Sequence, residues 1–429
     1  MLRTNLSSLY KLAAAVSILF AGMAWAAGPT FQVIHTFQGA PDGANSWAQV
    51  AVDAAGNVYG TTTEGGASGN GCVYELSPPA PGGAWTENVI YSFQGGTADG
   101  RFPSSGLVID NSGNLFGTTF VGGAQNMGLV FELSPPAQSG GAWTETVLYS
   151  FTSHNNQTTG YGGNELLLKG NSIFGSTLYG GLGNGNVFEM QKGSAGTWVE
   201  EGLYEFTGRP SGEQVEYEGA ALVADSAGNL YGTTSSGGLY SAGSVFEVSP
   251  PAEKGGRWTQ TELYSFGGYG TDAVGVTGGV VLDSAGNLYG AAAGGTNSLG
   301  AVFELSPPAT AGAPWTESIL YNFKGGATDG SAPYAGVVRD PSGNLFGVTY
   351  TGGPGNCSFS PSNSGCGTVY EISPSAGGAW TETLLHTFNG SSDGEFPYGG
   401  LTIDRHGRLY GTTQDGGAKG FGTVFRVLP

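Results

Sequence analysis

The chain has 429 residues, 33 of them acidic and 14 basic, for a formal net charge of −19. That balance argues against nucleic-acid binding, where phosphates need clustered Lys and Arg, and suits a soluble protein, cation binding or cationic partners. Its 80 glycines do not mark disorder, because they recur at fixed positions beside aromatic residues, as ordered turns do.

In chain order, residues 1–26 come first and lie outside the expected fold. Arg3 and Lys11 precede an apolar run from Leu12 to Ala26, and Ala24-Trp25-Ala26 offers small residues for cleavage. This is the pattern of a secretory signal peptide without a lipobox cysteine, too short and too early for a membrane anchor. Its removal takes away two positive charges and no acid, which moves the formal charge from −19 to −21. The expected product is a soluble, exported monomer, extracellular or periplasmic and not membrane-spanning, with one domain over 27–429.

The rest is a repeat, the feature that decides the fold. A Gly-Asn-x-aromatic-Gly element occurs at 56–60, 113–117, 228–232, 286–290 and 343–347, with weaker copies at 171–175 and 407–411. Each unit of about 57 residues reads as four short strands. In the second unit, strand A is "GLVID" (106–110), B is "NLFGTT" (114–119), C is "LVFEL" (129–133) and D is "WTETVLYSF" (143–151). Val, Ile, Tyr, Phe and Thr fill the strands, Gly, Pro, Ser and Asn clusters separate them, and no convincing helical period appears. Strands B and C occur seven times, but D follows its own C only six times. The missing copy stands at the other end: "FQVIHTFQG" (31–39) matches strand D and precedes the first strand A, "WAQVAVD" (47–53). The expectation is an all-β, seven-bladed β-propeller of four-stranded blades, its last blade closed by the N-terminal strand.

These units resemble the GloVer tandem repeat of bacterial secreted proteins over roughly residues 31–429, through "GNLYGTTSSGG" (228–238), "VFELSPP" (130–136) and "LYSFGG" (263–268). The stretch "VVLDSAGNLYG" also resembles the NHL-type propeller pattern. The resemblance implies a fold and an export route, and no established activity or catalytic residues.

Cys357 and Cys366 share the enlarged B–C loop of the sixth unit. In an oxidising compartment they are expected to form a disulfide, and Cys72, opening a strand C, to be a buried free thiol. The strand-ending Asp at 53, 110, 225, 283, 340 and 404 is expected to accept backbone N–H bonds in its own tight turn. The Trp opening each strand D is expected to pack the outer layer. Four histidines and no metalloprotease, P-loop or nucleophile-elbow motif leave no catalytic constellation. His35 and His386 occupy a strand-D position that is Tyr elsewhere and read as packing variants.

Function is sought where the repeats differ. Strands alternate direction, so the D–A and B–C loops share one face. On it, Asp-Gly pairs begin at Asp42, Asp99, Asp329 and Asp393, leading into the first, second, sixth and seventh blades. They read simply as turns, or as hard oxygen ligands for calcium. Aligning strand A back from its final Asp places Trp47, Tyr334 and Tyr398 at one position on adjacent blades, where the others have Ser104, Gly162, Gly219 and Thr277. Aromatic faces beside Asp42, Asp329 and Asp393 suit a sugar, or the rings simply plug the channel mouth. The expected function is a non-enzymatic secreted protein that binds a carbohydrate or extracellular protein on this face. A metal-assisted hydrolase or lyase using the acidic loops, and a structural cell-envelope component, are the alternatives.

Overall fold

The computed structural model describes residues 28–429, apart from 81, 139, 155–156, 159–160, 181–183, 194–195, 208–213, 216–220, 254, 268–271, 311, 361–362 and 376. The signal-peptide reading of 1–26 therefore falls outside the described residues. Seven antiparallel sheets follow one another in a ring, with no α-helix among the described residues. Blade 2 shows the order: Val108–Ile109, Leu115–Thr119, Leu129–Ser134 and Thr144–Ser150 are its strands A to D. The interior strands are buried on both faces because neighbouring blades cover both. Strand B is fully buried in blade 2, whereas strand D alternates between exposed and half-buried positions at the rim.

The seventh blade is built from both ends of the chain. Thr30–Thr36 pairs antiparallel with Thr423–Leu428, outside Leu409–Thr413 and Thr402–Ile403. The pairing includes a bulge between Val33 and His35. Each of the other six D strands bulges at the same register, for example between Tyr149 and Val147 opposite Val130 and Phe131. A bulge re-aims the side chains beyond it, so the N-terminal strand reproduces the outer-strand geometry as well as its pairing.

The core lies between blades rather than within them. Seven buried clusters each span two adjacent blades, and the one joining the last blade to the first contains Ile34, Phe37 and Val424 with Val50, Val58 and Tyr74. At every interface the Phe that follows strand D meets the strand-C aromatic of the next blade edge to face. Phe93–Phe131 has centroids 5.2 Å apart, and the closing pair Phe37–Tyr74 has the same separation. Outer tryptophans cross the same interfaces: Trp143 packs on Tyr59, Trp198 on Phe116 and Trp258 on Phe174. Hydrogen bonds follow nearer the axis, from Thr61 Oγ1 to the Ser105 carbonyl and from Thr412 Oγ1 to the Ala48 carbonyl.

Cys357 and Cys366 are disulfide-bonded, and Cys72 is a buried free thiol. The strand-ending aspartates cap their own turns as expected. Asp53 accepts from Ala55 N and Asn57 N through one oxygen and from Asn57 Nδ2 through the other, all at 2.8 Å. Among the described residues no helix is long and apolar enough to cross a membrane.

Candidate functional site

The seven A strands converge on the ring axis so closely that some can carry no side chain there. Four residues before the strand-ending position stand Gln49, Gly106, Glu165, Ala221, Gly279, Gly336 and Gly400. A Cβ on Gly336 would collide with the backbone of Gly279, and one on Gly106 would collide with the Glu165 carboxyl group. Glycine here allows a close approach, and the room left by Gly106 is taken by Glu165. In blade 3 Lys169 stands where other blades have the strand-ending Asp. The blade 3 residue equivalent to Trp47 is therefore Gly163, one position later than the Gly162 of the sequence alignment.

Along this neck runs a cavity of about 190 Å³ whose lining includes Trp47, Gln49, Glu165, Thr277, Tyr334 and Tyr398. The three aromatic residues expected to share a position come together. Trp47 and Tyr398 have centroids 6.3 Å apart, and Tyr398 and Tyr334 5.7 Å. Two further rings extend the group. Tyr350 lies 5.4 Å from Tyr334 and 5.9 Å from Tyr398, and it stacks on Phe396 at 4.9 Å. Comparing the residue after each strand B would have flagged Tyr350 together with Phe120, where Thr63, Leu178, Ser235, Ala293 and Gln414 stand elsewhere. Trp47, Tyr334 and Tyr398 are only partly buried and present surface to solvent.

Beneath the rings, polar atoms lack partners. Trp47 Nε1, Thr277 Oγ1 and Glu165 Oε2 are buried with no hydrogen-bond partner among the described residues. Glu165 is 8 % exposed, and burial pushes its carboxyl up to about 8. Sequence reading missed it, because a lone Glu in the least regular repeat carries no signal until the strands converge.

The Asp-Gly pairs do confirm the shared face. Gly43–Ala44 pairs with Glu64–Gly65, Gly100–Arg101 with Val121–Gly122 and Gly330–Ser331 with Thr351–Gly352, while Glu395 bridges Asp415. These ribbons join the D–A and B–C loops of blades 1, 2, 6 and 7. The Gly of each pair is required, since a Cβ on Gly43 or Gly100 would strike the strand-B threonine, Thr62 or Thr119. The carboxylates themselves serve the loops. Asp99 accepts from Gln94 N and Gly100 N at 2.6 Å and from Tyr91 Oη at 3.1 Å. Asp329 accepts from Lys324 N, Gly330 N and Tyr321 Oη. Asp42 and Asp393 accept likewise from backbone N–H groups, and each lies against a histidine instead of a tyrosine, His35 Nε2 at 3.3 Å and His386 Nε2 at 3.0 Å. So the two histidines replace a hydroxyl that orients a loop carboxylate.

The four aspartates sit in four separate loops and do not line the axial cavity. Among the described residues, the only convergence of three or more potential metal ligands is the disulfide pair with Glu395. The aromatic half of the expected site is thus assembled, and its acidic half is not brought together.

No curated protein matches the chain. Among solved structures, Trypanosoma rangeli sialidase aligns at 8% identity and a TM-score of 0.45, over 94% of this chain and 59% of that one. A Mycobacterium tuberculosis puromycin-hydrolyzing peptidase aligns at 12% identity and a TM-score of 0.48, over 93% of this chain and 55% of its own. A protein of unknown function from Dyadobacter fermentans aligns at 11% and 0.41, over 93% and 98%. The chain therefore spans less than three-fifths of the sialidase and of the peptidase. The Gloeobacter/Verrucomicrobia repeat model matches residues 19–188 and again 162–359. Given that coverage and the unit repeated in every blade, the chain belongs to the Gloeobacter/Verrucomicrobia repeat family.

Proposed function

We propose that this propeller is an exported, soluble, monomeric binding protein that takes a carbohydrate ligand at the mouth of its central channel. The observation that carries the reading is the contact of Trp47, Tyr398 and Tyr334, from three consecutive blades, over an axial cavity. Half-exposed rings at a concave mouth offer flat apolar faces to the C–H surface of a sugar, and nearby polar atoms offer bonds to its hydroxyls. Asp42, Asp329 and Asp393 contribute by holding the loops that frame the mouth. The acidic loops favour a hydrolase or lyase less, because their carboxylates are already committed to backbone N–H groups.

A glycan array probed with the purified protein, followed by the triple variant Trp47→Ala/Tyr334→Ala/Tyr398→Ala, tests this. Binding is expected to weaken at least tenfold, about 1.4 kcal/mol, with the melting temperature little changed. Unchanged binding would move the site elsewhere. Loss of folding would make the rings a structural plug, and capture of an extracellular protein but no glycan would change the ligand class.

A further inference from the structure

The axial cavity has a carboxyl that the aromatic mouth does not explain. Among the described residues lining it, Glu165 is the only carboxyl and no Lys or Arg is present. Its Oε2 is buried without a partner, although buried polar atoms are nearly always hydrogen-bonded and each exception calls for a reason. Gln49, the other long polar side chain on the neck, donates from Nε2 to the Leu401 carbonyl at 2.7 Å. The neighbouring position in blade 2 is Gly106, which makes room for the carboxyl rather than a bond to it. What this oxygen lacks is a partner, and nothing described in the protein supplies one.

We propose that Glu165 forms the bottom of a subsite for a ligand ammonium group, so that the channel takes a sugar bearing a primary amine. This rests on the reading of the channel mouth as the ligand site and goes beyond it by naming the ligand's charge. Four features agree. A carboxylate is the acceptor that an ammonium satisfies best, through charge-assisted bonds. The faces of Trp47, Tyr334 and Tyr398 on the way in attract a cation through their quadrupoles. The chain's net charge of −19 favours approach of positive ligands. Trp47 Nε1 and Thr277 Oγ1, both unpaired and lining the same cavity, supply a donor and a hydroxyl for the ring oxygens of such a ligand.

Size limits the choice. A cavity of about 190 Å³ is smaller than the roughly 300–1,000 Å³ of sites that enclose drug-sized ligands. The enclosed part is therefore about one monosaccharide residue or smaller, with any further residues outside on the aromatic rings. Burial holds the empty carboxyl protonated near neutrality. Docking an ammonium ionises it, and its proton passes to solvent while the ligand keeps its own.

Calorimetric titration of the full mature chain tests this with three probes: a glucosamine oligosaccharide, its N-acetylated counterpart and the corresponding glucose oligosaccharide. The amine-bearing probe is expected to bind at least tenfold tighter than either neutral one. Glu165→Gln, which keeps the shape but removes the charge, is expected to erase that preference. Titration in two buffers of different ionisation enthalpy is expected to show proton release with the amine and none with glucose. Equal affinity for the three probes, a preference that survives Glu165→Gln, or no binding of the amine overturns the proposal. Should Glu165→Gln fail to fold, the probe comparison and the proton count on the wild-type chain decide alone. Neutral glycans that bind and are lost in the triple aromatic variant, with no amine preference, would sink the ammonium subsite and keep the carbohydrate reading. Amine-selective binding whose affinity is unchanged in the aromatic variant would do the reverse.

Discussion

Phe31 lies face to face on His386, ring centroids 3.5 Å apart and planes 6° from parallel. It meets Phe388 edge to face and Phe425 at 5.6 Å as well. This residue stands at the strand-D register where other blades carry Glu87, Glu145, Glu200, Gln260, Glu317 and Glu382. The closing strand thus replaces a half-buried carboxyl or amide with a ring that ties blade 7 to blade 6. On its other side Phe37, fully buried, ties blade 7 to Tyr74 of blade 1.

Closure is therefore expected to depend on residues 30–39 through packing as well as pairing. A chain starting after Gly39 leaves Thr423–Leu428 as an open edge and melts well below one that keeps residues 30–39. Phe37→Ala alone is expected to cost about 3–5 kcal/mol, the usual range for a buried Phe. Equal melting temperatures for the truncated and full chains would defeat this account.

Thiol counting separates the three cysteines. Denatured without reductant, the purified protein is expected to show one thiol, Cys72, and three after reduction. In the native state Cys72 is expected to resist alkylation, since it is 0 % exposed and burial pushes its thiol up to about 12. The Cys357–Cys366 bridge spans nine residues, so chain entropy assigns it at most about 2–3 kcal/mol. Three thiols without reduction would remove the bridge.

Stability is expected to fall as pH rises through neutrality. Burial pushes Glu145, Glu200 and Glu382 up to about 7 and Glu165 and Glu317 to about 8, and the nearby carboxylates Asp99, Asp329 and Asp272 add to the shift for Glu145, Glu382 and Glu317 respectively. The unfolded chain titrates these groups near pH 4.3, so between there and pH 8 the folded state holds more protons. The stability they contribute is present at the acid end and lost as pH rises through 7–8. Asp225, Asp283 and Asp404 act oppositely. Burial alone would raise them, but hydrogen bonds from Asn229, Asn287 and Arg408 hold them below the usual range, and their contribution disappears only below about pH 4. Melting at constant ionic strength is expected to be higher at pH 5.5 than at pH 8.5, with a shallower slope in Glu317→Gln. A flat profile between those values would contradict the shifts.

The blades were legible from sequence because what makes them is local. Gly-Asn turns, the strand-ending Asp with its i+4 Asn, and the alternation of strand D all act within a few residues, so each copy announces itself. Closure was legible too, since seven B and C strands against six trailing D strands leave a partner to be found at the other end. The aromatic arc of Trp47, Tyr334 and Tyr398 followed from repeat position. What only the tertiary structure decided is which side chains meet on the axis and what each carboxylate faces. Asp42, Asp99, Asp329 and Asp393 read most simply as turn residues, with calcium ligation as the other reading, until their N–H donors were placed. Glu165 was hidden because its environment is made by Gly106, Thr277 and Trp47 from three other blades. Burial and partnering on the axis belong to the closed ring, and no single repeat contains them.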